Sequence, residues 1–186
     1  TIFGLRKLAG RLFNNEVGKL AFLILFFYPV FFGHMAINSK DTILAFSHIW
    51  ITYYLYEYLL NLNKEEKSKY VWRIGILASI GTGIQMVFLG SLIPVIIFFL
   101  FFFIYSKKKK FKTKFLILDI VKCFIIFYLS LLFFWIDAYQ NLIILPFRFL
   151  MSTLTDTYWT GWNYNLVNGK YYFSNDVDKS YLISNI

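Results

Sequence analysis

The sequence predicts an all-α integral membrane protein of about five transmembrane helices, and three observations predict it. The first is composition: 59% of the residues are hydrophobic and 23% aromatic, with a mean hydropathy of +0.59. Soluble domains sit near 45–50% apolar, and a soluble core of this size could not hide 23 Phe and 14 Tyr, whereas lipid serves as their solvent. The second is a run without charge from Ile74 to Tyr105, ended by the block Lys107–Lys110, Lys112 and Lys114. The third is that basic residues gather at the ends of apolar segments, which is a topology signal rather than a nucleic-acid one, despite a net charge of +9.

Residues 1–17 come first. Ile2, Leu5, Leu8, Leu12 and Phe13 share one side, with Arg6, Lys7 and Arg11 between them. That spacing predicts an interfacial amphipathic helix, its basic face toward anionic headgroups. No long apolar core with a cleavage site is present, so the segment is not read as a secretory signal. A transmembrane bundle is expected over 18–137. Its first span covers about 20–37, bent at Pro29, and the polar turn Asn38-Ser39-Lys40-Asp41 follows. The second span, about 42–62, carries His48, Glu57 and several aromatics, a mixture that favours packing against protein.

The stretch from 71 to 114 organises the rest. A span needs about 20 apolar residues to cross roughly 30 Å of hydrocarbon, so the uncharged run is too long for one upright helix. Gly90-Ser91, with Pro94 just beyond, marks the break: Ser91 can cap a new helix, and proline is tolerated in a first turn. Two helices are expected, about 71–89 and 92–106, and a fifth span over 115–136. With the N-terminus inside and the C-terminus outside, fourteen basic residues fall inside against four outside. Such a split obeys the positive-inside rule. Residues 138–186 form an extramembrane tail. Within it Asn165–Tyr172 reads as a β-hairpin, because Asn168-Gly169 supplies the positive φ angles of a type I′ turn.

Three residues carry candidate chemistry: Asp119, Lys122 and Glu57. Asp119 and Lys122 are spaced i,i+3 and share a helix face. Charges within a span are costly and mark ion or proton paths, or pair with one another. Asp119 lies one turn and Lys122 about two turns from the lysine block, a depth that favours a structural ion pair over a proton path. Glu57, a turn from the inner end of its helix, is read the same way. His34 and His48 on neighbouring spans have the residue type for axial haem ligation, but interfacial hydrogen bonding is the stronger reading. No cofactor and no metal is expected, and the single Cys123 excludes a disulfide framework. Gly81-Thr82-Gly83, with Gly75 nearby, is a close-packing signal between helices. No motif identifies a catalytic site or a known family.

Function is therefore read from composition. Phe, Tyr, Ile, Asn and Lys, with AT-rich codons, are abundant, and Lys outnumbers Arg 15 to 4. Together with a small multi-span chain and no visible site, this points to a hydrophobic subunit of a mitochondrial inner-membrane oxidative-phosphorylation complex, without a catalytic site of its own. Its role there is structural or that of helping to line a proton path. Its partners would be other membrane subunits and anionic lipid headgroups, and not nucleic acid. The alternative is a small transporter or permease subunit in the cytoplasmic membrane of a low-GC bacterium.

Overall fold

A computed structural model describes residues 1–62, 67–105, 113–134, 141–142, 144, 147–148, 151, 164–167 and 170–173. These residues are mostly helical and fall into two units, Thr1–Pro146 and Phe147–Ile186. The lysines at 107–110 and 112, the loop 63–66, Asp137, Pro146, Asn168-Gly169 and most of the tail lie outside them, as does the side chain of His34.

The chain begins with α1 (Ile2–Leu12) and α2 (Asn15–Phe26). The single helix expected over 1–17 is thus two. Asn14 divides it, because its extended backbone ends one helix while its side-chain oxygen accepts from the Val17 amide at 2.9 Å and starts the next. Gly10 and Gly18 let the two helices fold back on each other. A Cβ at Gly18 would lie 2.7 Å from the Arg6 carbonyl oxygen and 3.0 Å from the Gly10 Cα. Nor does α1 stand apart from the other helices. Gly4 lies against Ile49 and Trp50, the Lys7 ammonium is 5.4 Å from the Trp50 ring, and Arg11 reaches Glu57. Equal steps along both helices make α1 parallel to its neighbour.

α3 (Pro29–Ile37) continues α2 after a 56° bend, where the missing proline N–H interrupts the ladder. α4 (Ser39–Leu60) then runs back, and α5 (Lys67–Ile84) packs against it. Ile51 meets Leu77 and Ala78 in one core cluster, and Tyr58 and Leu62 meet Tyr70 and Val71 in another, so the two helices are antiparallel.

The break in the uncharged run falls at residues 85–87, ahead of Gly90-Ser91. A one-turn helix, α6 (Phe88–Ser91), precedes α7 (Ile93–Tyr105). Ser91 does not cap α7. Its hydroxyl donates to the Phe88 carbonyl at 2.7 Å and so closes α6. Pro94 does sit in the first turn of α7. α8 (Thr113–Phe134) lies along α5. A Cβ at Gly75 would meet the Cys123 carbonyl oxygen at 3.0 Å, and one at Gly83 the Phe134 ring at 2.8 Å, so α5 and α8 are parallel.

By length and composition one helix, Leu116–Phe134, is apolar and long enough to cross a membrane, and α2 with α3 qualifies as a bent pair. The five-span count is finer than this. α4 has the length but mixes in charges, and α7 has 13 residues. Much of the apolar surface is exposed, including Phe98, Phe101, Ile120, Phe124 and Phe133, as expected of helices whose solvent is lipid. In the second unit, β1 (Tyr164–Val167) and β2 (Lys170–Phe173) pair antiparallel with Val167 opposite Lys170, a two-stranded hairpin at the expected place.

Candidate functional site

The helix directions place polar groups at both ends of α4. At its C-terminal end lies an ionic cluster. Arg11 donates to Glu57 through Nε and, at 3.4 Å, through Nη2, and Asn61 donates to the Glu57 carbonyl at 2.8 Å. The hydrogen bond and the negative charge of Glu57 raise the Arg11 guanidinium above its ordinary pKa. Asp119 is buried, held by Lys67 Nζ at 2.9 Å and by the Tyr58 hydroxyl at 2.8 Å.

The partner of Asp119 is therefore on α5, whereas Lys122 is exposed on α8. Helical spacing named a neighbour that shares a face, but a lysine on the adjacent helix supplies the counter-charge. The sequence signal for Lys67 was present in its position at the start of α5, opposite Asp119 only once α5 and α8 are known to be parallel. Glu57 is buried as well, paired with Arg11, which approaches because α1 lies on α4.

At the N-terminal end of α4 is a shallow cavity of about 300 Å³. Leu44, Ala45 and His48 line it from α4, and Gln85, Val87, Phe88 and Ser91 from the segment between α5 and α7. His48 Nε2 lies 3.1 Å from the Ser91 carbonyl oxygen, and its ring meets Phe88 edge-on at 6.3 Å. Phe88 is anchored because Gly81 has no side chain, and its ring fills the place where a Cβ would be. Asp41, in the first turn of α4, shares a helix face with Leu44, Ala45 and His48 by i, i+3, i+4, i+7 spacing. Its carboxylate accepts from Asn38 Nδ2 at 2.8 Å. Among the described residues the carboxylates are Glu16, Asp41, Glu57 and Asp119, and Asp41 is the one at the cavity end. Reading the sequence alone left Asn38–Asp41 as a plain polar turn and so passed over Asp41. Its spacing to His48 was the available signal.

His48 thus makes a protein hydrogen bond at the cavity, and the side chain of His34 lies outside the described residues. Among the described residues no group of three or more His, Cys, Asp or Glu side chains comes together.

A family model described as dolichyl-phosphate-mannose-protein mannosyltransferase matches residues 1–133 of the 186. No curated protein and no solved structure matches. The family match overturns the oxidative-phosphorylation reading, and with it the respiratory-chain, electron-transport and proton-transport roles and the transporter alternative. The mitochondrial inner membrane loses its support, while the membrane itself is retained. Composition misled for a physical reason. AT-rich codons and a lipid-facing surface report the genome and the solvent, and neither reports the chemistry.

Proposed function

We propose a glycosyltransferase function for this chain, which belongs to the dolichyl-phosphate-mannose-protein mannosyltransferase family. The donor is a mannosyl group on a polyprenyl phosphate, the acceptor a protein hydroxyl, and the site the cavity at the N-terminal end of α4. The family match carries this reading. In the reaction the acceptor oxygen bonds to the anomeric carbon, the bond from that carbon to the phosphate oxygen breaks, and the lipid phosphate leaves. The hydroxyl proton needs a base, and Asp41 is our candidate for it, because it shares a helix face with the lining residues Leu44, Ala45 and His48, one turn before the first of them. Glu57 and Asp119 are held by cations at the other end of α4 and are left with a structural role.

A lipid-borne donor requires the site to lie near a membrane surface. Five spans, formed by α2 with α3, α4, α5, α6 with α7, and α8, put the cavity at one surface and the ionic cluster at the other. Arg11 and Lys67 belong to the ionic end, while Arg6 and Lys7 lie partway along the bundle, beside Phe22 and Trp50. In the tail hairpin Tyr171 and Phe173 are exposed.

The test uses the full chain in vesicles, with labelled polyprenyl-phosphate mannose and a Ser/Thr peptide. Wild type transfers label. Asp41→Asn, which keeps the hydrogen-bonding shape, lowers kcat by roughly 10²–10⁴-fold, the range of general-base catalysis. Full activity in Asp41→Asn removes the carboxylate from the mechanism.

A further inference from the structure

His48 is the one ring at the cavity whose proton position its surroundings determine. Its Nε2 faces the Ser91 carbonyl at 3.1 Å. A carbonyl only accepts, so Nε2 carries the hydrogen, and in the neutral ring Nδ1 is left as a bare acceptor. Phe88, edge-on and buried, fixes the ring plane. The rest of the lining is apolar except for Gln85 and Ser91, and the Ser91 hydroxyl already donates to the Phe88 carbonyl. A small apolar cavity with one or two placed polar groups is built to orient a ligand as well as to hold it. About 300 Å³ is at the lower end of small-molecule sites, the scale of one sugar ring rather than of a peptide.

We propose that His48 is a specificity residue: its Nδ1 accepts a hydrogen bond from one hydroxyl of the donor sugar, and the Ser91 carbonyl holds the ring in the tautomer that does so. The inference rests on the transferase reading and adds to it which side chain distinguishes the sugar. His48 is partly exposed, so an analogue that lacks the hydroxyl forfeits one net hydrogen bond, an effect of about tenfold.

Two substitutions separate the two nitrogens. The amide nitrogen of Gln overlays Nε2, so His48→Gln keeps the bond to Ser91 and loses the Nδ1 acceptor. The amide oxygen of Asn overlays Nδ1, so His48→Asn keeps the acceptor and loses the bond to Ser91. Transfer from polyprenyl-phosphate mannose and from a series of its monodeoxy analogues is measured with the full chain in vesicles. Thermal unfolding is measured in parallel. Wild type discriminates against one deoxy analogue by tenfold or more in kcat/KM. His48→Gln loses that discrimination, raises KM for the parent donor and unfolds at the wild-type temperature. His48→Asn retains part of the discrimination and unfolds earlier. An unchanged deoxy ranking in His48→Gln overturns the inference and leaves the transferase reading standing. No transfer by wild type overturns the transferase reading, and the inference falls with it.

Discussion

At the scale of single residues the structure separates polar groups that are matched from those that are not. Ser47 on α4 and Thr82 on α5 are buried at 0% and 1% exposure, and among the described residues their hydroxyls have no hydrogen-bond partner. A buried unsatisfied polar atom costs about 1–3 kcal/mol. Thr82→Val, which keeps the shape and removes the hydroxyl, should therefore raise stability by about 1 kcal/mol or more, read as a higher unfolding temperature in detergent. Ser47→Ala should act in the same direction. The ion pairs behave oppositely. Lys67 is 17% exposed and Asp119 9%, so removing one partner strands a buried charge at a cost of about 3–5 kcal/mol. Lys67→Met should be strongly destabilising, and adding Asp119→Leu should recover most of the loss. Lys122→Met, at an exposed position, should change little. A loss from Lys122→Met as large as that from Lys67→Met would mean that the sequence-based pairing is the working one. Arg11 is 55% exposed but Glu57 only 5%, so removing Arg11 also strands a buried carboxylate and should destabilise, by less than Lys67→Met because solvent reaches the pair from the arginine side.

At the scale of elements, glycines show which helix contacts are tight. At Gly75 a Cβ would meet both the Ile126 side chain at 2.9 Å and the Cys123 carbonyl oxygen at 3.0 Å, the latter unable to give way, whereas nothing lies within 4 Å of a Cβ at Gly90. Gly75→Ala should destabilise by pushing α8 away, and Gly90→Ala should be neutral or improve stability by up to about 1 kcal/mol, since alanine is the better helix former. Paired unfolding curves decide this, and equal effects at the two positions would sink the assignment of α5–α8 as the tight seam. These elements were largely legible in the sequence. Pro29 marked the bend between α2 and α3, the apolar run marked α7, and Asn-Gly marked the hairpin. What escaped was non-local. Asn14 outranked an unbroken amphipathic period because a cap satisfies backbone donors that periodicity ignores. The break before α6 moved to 85–87 because the Phe88 ring seats on Gly81 across the turn. The Lys67–Asp119 pair needed the relative direction of α5 and α8, which no spacing within one helix encodes. The candidate site was hidden for the same reason: His48 meets Ser91 43 residues away.

At the scale of the whole molecule, the two ends of α4 differ in kind, and a membrane gives the difference a meaning. α4 has 22 residues, about 33 Å at 1.5 Å per residue, close to the thickness of the hydrocarbon core. Antiparallel packing of α4 on α5 and the parallel course of α8 along α5 carry Asp41, His48, Gln85 and Ser91 to one end. The same directions carry Arg11, Lys67 and the start of α8 to the other. On the transferase reading a lipid-linked donor presents its phosphate at one membrane surface, which calls for a cavity open to one side. On the proposed five-span arrangement, the positive-inside rule predicts that the basic end stays where the protein is made and that the cavity faces across. Single cysteines placed at Lys40, Ser68 and Ser91 in a Cys123→Ala background, all three at exposed positions, test this in sealed vesicles with an impermeant maleimide. Positions 40 and 91 should label from one side and position 68 from the other. Labelling of 40 and 68 from the same side would mean that α4 does not cross. The cavity and the ionic cluster would then share one surface, and the proposed division between a donor site and a basic anchor would fail.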